Sequence, residues 1–251
     1  MTLRNPDREA VAHGHITNEP IRQKPGVPSW VLKLIMAVTG LLFALFVVGH
    51  MAGNLKLYLP AHGGEEALDE YGAFLRSMGE PLFPHEGALW IIRAVLLVAI
   101  IAHIYGAIAL TARSKASRGK FRRSNLMGGL DSFATKTMLV SGLVLLLFII
   151  FHLLDLTMGV QPIAPGDFVE GAVKANMIAT FSRWPVTIVY VIAMCFLFLH
   201  LTHGIRLAAS DLGITGAKWR QTFLILAYVI PAVVCIGNIV MPLSVALGLV
   251  S

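Results

Sequence analysis

The chain has 251 residues, of which 56% are hydrophobic and only 14% charged, and its mean hydropathy is +0.73. A soluble domain averages nearer a quarter charged, so the composition describes an integral membrane protein rather than a globule with a large core. The net charge of +6 invites a nucleic-acid reading, but the basic residues sit beside apolar stretches, where anionic lipid or a cytoplasmic partner accounts for them.

In chain order, residues 1–28 are polar, with Pro6, Pro20, Pro25 and Pro28 among charges of both signs. They lack the apolar run and small-residue cleavage site of a signal peptide and read as a cytoplasmic tail. Residues 29–251 then form one membrane domain. Five stretches are long enough to cross a bilayer, which takes roughly 20 helical residues. They run from Trp30 to Leu59, Glu86 to Ala112, Thr135 to Gly159, Trp184 to Ala209 and Trp219 to Leu249. The expected fold class is therefore an all-α integral membrane protein, a bundle of five transmembrane helices. Cys195 and Cys235 fall inside these stretches with no metal or disulfide spacing.

The connections set the expected orientation. Arg4, Arg8, Arg22 and Lys24 in the tail, six basic residues from Arg113 to Arg123, and Lys218 with Arg220 all belong to one side. The first connection holds only Arg76 against Glu65, Glu66, Asp69, Glu70 and Glu80, and the third holds Lys174 and Arg183 beside Asp167 and Glu170. The positive-inside rule then places the N-terminus in the cytoplasm and the C-terminus outside. Within the first connection, Leu68, Tyr71, Phe74, Leu75 and Met78 recur at helical spacing, which predicts a short amphipathic helix over Glu65 to Gly79 lying at the outer interface. Asp167 to Ser182 predicts a similar one.

Four histidines, His50, His103, His152 and His200, lie inside four different stretches, each about ten residues from one end. An ionisable ring at that depth is costly unless it is used. Imidazole is an axial ligand of haem iron, and two rings hold one haem. Orientation converts position into depth at about 1.5 Å per helical residue. His50 and His152 each stand ten residues before a proline, Pro60 and Pro162, on outward-running helices. His103 stands ten residues before Arg113, and His200 eleven before Asp211, on inward-running ones. The expectation is an outer pair, His50 with His152, and an inner pair, His103 with His200, each a metal-ligating site for one haem b. His203, one turn from His200, competes for the inner site or serves as a supporting group.

These residues carry a resemblance. Gly49-His50-Met51, Ala102-His103, Phe151-His152-Leu153 and the run FLHLTHGIRLAASDLG from Phe198 to Gly213 make the chain similar to the dihaem cytochrome b membrane anchors of succinate dehydrogenases and menaquinol:fumarate reductases. The resemblance covers nearly the whole chain. It implies a five-helix bundle with two haems b, the outer held by His50 and His152 and the inner by His103 and His200. Gly204 and Gly213 follow His200 by four and thirteen residues, the family's register. It further implies a flavoprotein subunit that interconverts succinate and fumarate, an iron–sulfur subunit that feeds the inner haem, and a membrane quinone, usually menaquinone. Such anchors lie in the bacterial cytoplasmic membrane. Some members carry a glutamate two residues before the fourth-helix ligand; Phe198 stands there in this chain.

Quinone turnover needs proton donors in an apolar slot. Outer-side candidates are Glu66, Glu70, Tyr71, His85 and Asp155; Asp155 follows His152 by three residues and so faces the same way. A carboxylate at the helix end in the headgroup region is the plainer account of Asp155. Haem propionates need cations, for which Arg93 is the outer candidate and Lys136 and Arg206 the inner ones, although each could instead snorkel to lipid phosphate. The basic loops could dock the iron–sulfur partner or simply obey the positive-inside rule. Two other functions compete: the cytochrome b subunit of a membrane hydrogenase or formate dehydrogenase, and a haem-free transporter or scaffold.

Overall fold

The computed structural model describes the backbone of residues 26–61, 63–118, 129–214 and 216–250, and the side chains of these apart from 117–118 and 129–136. Among them the regular elements are helical. α1 (Ser29–Asn54) continues into a 3-10 turn (Leu55–Tyr58), and α2 (Ala67–Ser77) and α3 (Gly87–Arg118) follow. α4 (Gly129–His152) continues into a π-helical turn (Leu153–Thr157), and α5 (Val173–Phe181), α6 (Trp184–Asp211) and α7 (Ala217–Ala246) complete the chain. Five of the described helices can cross a bilayer: Ser29–Tyr58, Gly87–Ala116, Thr137–Thr157, Trp184–Asp211 and Ala217–Ala246. The stretches expected from sequence agree with them to within a few residues at each end.

Local sequence explains the ends. α1 starts after Pro28, and α6 has Pro185 in its first turn, where a missing N–H costs nothing. The π turn after α4 closes at Gly159, whose φ of 63° favours a residue without a side chain. Pro231 and Pro242 lie inside α7, which membrane helices tolerate when neighbouring groups satisfy the freed carbonyls. The outward faces are apolar: Leu45, Val98, Ile101, Leu143, Leu147 and Ile236 are all exposed. Such a surface is matched to lipid.

α6 is the central helix, packing against α1, α4 and α7, while α1 also packs against α3. Small residues allow the close approach: Ala193, Ala208 and Ala209 of α6 and Ala227 of α7 are buried. Among the described residues, α1 and α4 make no comparable contact, nor do α3 and α6. Side chains joining those helices therefore reach across the diagonals of the bundle.

One end of the bundle is capped. α2 and α5 pack on each other, with Lys174 bound to Glu66 at 3.1 Å and its N–H donated to Asp69 at 2.8 Å. Leu68 of α2 and Met177 and Phe181 of α5 share a core with Leu57, Tyr190, Met241 and Val245. The amphipathic helix expected to lie at the lipid interface thus docks Leu68 onto the bundle, with Phe74 still exposed. The bundle's own residues offer Leu68 a better-packed apolar surface than the headgroup region does. At the opposite end, Lys33 pairs with Asp211 at 3.1 Å, and Arg113 donates to Ser29 Oγ at 2.9 Å and to the Val27 carbonyl at 2.6 Å.

Candidate functional site

The four membrane histidines come together in two layers. Nearer the capped end, the rings of His50 on α1 and His152 on α4 face each other with centroids 5.8 Å apart and planes at 85°. Nearer the other end, His103 on α3 and His200 on α6 face each other at 6.3 Å and 55°. Both pairs span bundle diagonals. His200, rather than His203, is the ring opposite His103; His203 and Arg206 lie farther along α6, both half-buried.

The hydrogen bonds behind these rings follow one logic. A hydroxyl has a single proton to donate. Thr39 Oγ1 donates its proton to the Ile35 carbonyl at 2.6 Å and so accepts from His103 Nδ1 at 2.8 Å. Ser141 Oγ donates to the Met138 carbonyl at 2.9 Å and accepts from His200 Nδ1 at 3.1 Å. The Tyr190 hydroxyl donates to Asp155 Oδ2 at 3.0 Å and accepts from His152 Nδ1 at a longer 3.3 Å. Each partner therefore holds the proton on Nδ1 and leaves the lone pair on Nε2, the tautomer a metal-binding imidazole requires. His50 is oriented by stacking on Phe46, with centroids 5.4 Å apart and planes at 19°.

The spacing suits two axial imidazoles on one iron. A metal–nitrogen bond of about 2 Å on each side, plus about 1 Å from each nitrogen to its ring centre, puts two centroids roughly 6 Å apart. A glycine borders each ring of the His103–His200 layer. A Cβ on Gly40 would come to 3.5 Å from His103 Cε1, and one on Gly142 to 3.5 Å from His200 Cε1. A side chain at either position would therefore lie in ordinary contact with the imidazole itself. No group of three or more metal-ligating side chains occurs among the described residues. A tetrapyrrole supplies four nitrogens of its own, so two imidazoles complete its iron. The histidine pairs fit haem b.

A repeat in the sequence underlies the layers. Val38-Thr39-Gly40-Leu41 leads to Leu45-Phe46-Val47-Val48 and then His50; Val140-Ser141-Gly142-Leu143 leads to Leu147-Phe148-Ile149-Ile150 and then His152. In each copy the hydroxyl residue precedes the histidine by eleven positions (50 − 39 and 152 − 141), three turns along one face. Each helix thus contributes a ring to the capped layer and a hydroxyl and glycine to the other. Phe148 stacks on His152 as Phe46 does on His50, at 5.9 Å and 27°. Thr39, Ser141 and Tyr190 are absent from the residues expected above, and this repeat was the signal for the first two.

The remaining candidates scatter. Asp155 is wholly buried and accepts from Arg183 Nη2 at 2.7 Å, Thr180 Oγ1 at 3.3 Å and Tyr190. Arg183 also donates to the Ile163 carbonyl at 2.7 Å. It is therefore an ion-paired interior group, not a helix-end carboxylate among headgroups. Glu66 is held by Lys174, and Glu70 is exposed on α2. Tyr71 lies against Gly53 with Lys56 over its ring at 5.5 Å, and His85 bonds Glu80 at 3.0 Å. Arg93 lies over Trp90 at 4.8 Å, with Glu86, which Arg76 also binds, 3.9 Å away. The Lys136 side chain lies outside the described residues, as do residues 119–128 of the basic connection.

Five membrane-length helices with paired histidines across the bundle define a polytopic membrane protein built around two internal imidazole layers. Residues 115–237 match the family model of the succinate dehydrogenase/fumarate reductase transmembrane subunit, just under half of the chain. The match takes in His152 and His200, while His50 and His103 precede it. No curated protein and no solved structure matches the chain.

Proposed function

We propose that this chain is the membrane anchor and electron relay of a succinate:quinone oxidoreductase, holding two haems b between an iron–sulfur subunit and membrane quinone. The observation that carries the reading is the pair of facing imidazoles in each layer, three of the four rings with Nδ1 committed to a hydroxyl. When bound, haem supplies one-electron chemistry. The chain's own residues present three Nε2 lone pairs, and they fix three ring orientations by hydrogen bonds and that of His50 by stacking.

Loop charges support an orientation with the N-terminus in the cytoplasm of a bacterial cell and the His103–His200 layer on the inner side, near the flavoprotein and iron–sulfur partners. The capped end then faces outward, where quinone, by the family's habit menaquinone, would take protons. Glu66, just before α2, and Glu70 on α2 are the proposed donors there. Asp155 is committed to Arg183, Thr180 and Tyr190 and does not enter that role. Arg113 holds the start of α1, so among the described residues Lys115, Lys218 and Arg220 are the proposed cations for the partner surface.

A reduced-minus-oxidised spectrum of the purified chain, with haem quantified per polypeptide, tests the proposal. Two b-type haems per chain are expected, and a chain purified without b-type bands would end it. Turnover of the assembled complex with menaquinone and ubiquinone analogues, in both directions, then identifies the quinone and the working direction.

A further inference from the structure

We infer that Tyr190, Asp155 and Arg183 form a positioning relay acting on His152 alone, which makes the two imidazole layers electronically unequal. The inference rests on the two-haem reading and adds residues that reading does not require.

The relay runs from the bundle's edge to its interior. Arg183, with its side chain about a third exposed, bonds the wholly buried Asp155; Asp155 accepts from Tyr190, and Tyr190 accepts from His152 Nδ1. Placing a carboxylate there is expensive, because a buried ion must be fully compensated, and an apolar side chain would pack as well or better. The backbone is shaped to allow it. The π turn Leu153–Thr157 widens the helix directly after His152 and carries Asp155 toward α6, and such turns recur at functional positions. Tyr190 is itself wedged edge-on among Phe148, Phe151 and Phe181, at 5.0, 6.0 and 4.9 Å, so its hydroxyl is held between ring and carboxylate.

The other backed rings differ in kind. Thr39 and Ser141 pass their protons to neutral backbone carbonyls of their own helices. Tyr190 passes its proton to a carboxylate, so its oxygen accepts more strongly from His152. A harder pull on Nδ1–H makes Nε2 the more basic ligand, and a more basic ligand favours the ferric iron. The relay therefore lowers the potential of the haem on His152 and has no path to the haem on His103 and His200.

The test is a potentiometric titration of the haems in the intact complex. The band belonging to the capped layer is the one His152→Ala removes. Tyr190→Phe keeps the ring and its packing but deletes the relay's central oxygen. It is expected to raise the midpoint of that band and leave the other in place. Asp155→Asn, which keeps an acceptor for Tyr190 but removes the charge, is expected to move it the same way by less. Ser141→Ala should move only the other band. A Tyr190→Phe titration that superimposes on wild type, or that shifts both bands equally, would overturn the relay while leaving the two-haem reading intact. A wild-type complex lacking b-type haem would instead sink the reading itself.

Discussion

The two imidazole layers have nearly the same ring spacing, 5.8 Å and 6.3 Å, yet they are supported in opposite ways. The His103–His200 layer is backed by short hydroxyls bonded to carbonyls of their own helices, so its support ends within the bundle. The His50–His152 layer is backed on one side by an ionic chain that passes through Asp155 to Arg183 and on to the Ile163 carbonyl in the connection after α4. On its other side there is a stacked Phe46. A pair of rings needs only spacing and tautomer to receive a metal. Which residues supply that tautomer decides how far the site feels the rest of the molecule.

That contrast can be broken most severely at the rings. His103→Ala and His152→Ala should each lower haem content from two per chain to one, and each should delete a different spectral band, as measured by pyridine haemochromogen and optical titration. If either substitution removed both haems, the layers would not be independent. Next in size is the ionic chain. Arg183→Ala leaves a fully buried carboxylate without its charged partner and should cost about 3 kcal/mol, the low end for breaking a buried pair, because Arg183 is partly exposed. Thermal melting in mild detergent measures this. Adding Asp155→Asn should recover much of the loss, and an Arg183→Ala protein melting with wild type would remove the ionic chain from the comparison. The smallest effect belongs to the opposite end, where Lys33 and Asp211 pair with over half of the lysine side chain exposed. Lys33→Ala should change stability by no more than about 0.5 kcal/mol, and salt should erase the difference.

Much of this organisation is legible without coordinates. The spans follow from apolar length because lipid demands about 20 helical residues. The pairing of His50 with His152 and His103 with His200 follows from counting, because an α-helix advances by a constant rise per residue. The short helix Ala67–Ser77 follows from apolar period, although not the docking of Leu68 on the bundle. Thr39 and Ser141 were legible in principle, since each stands eleven residues before a histidine within a matching Val-hydroxyl-Gly-Leu segment. A hydroxyl in an apolar stretch draws less notice than an imidazole, because its cost in lipid is easily met by a carbonyl one turn back.

Asp155 shows the limit. Spacing placed it on the face of His152, which holds, and suggested a carboxylate available to quinone. A π turn and an arginine 28 positions away instead enclose it completely. The sequence by itself determined how many helices cross, at what depth each histidine sits and which depths match, since those quantities depend only on apolar length and helical rise. Only the tertiary structure decided which ring nitrogen three of the histidines keep free, and that one of the four rings is tied to a buried charge. Those outcomes depend on how each helix is rotated against its neighbours, and contacts such as Thr39 to His103, 64 residues apart, exist only once the helices have packed.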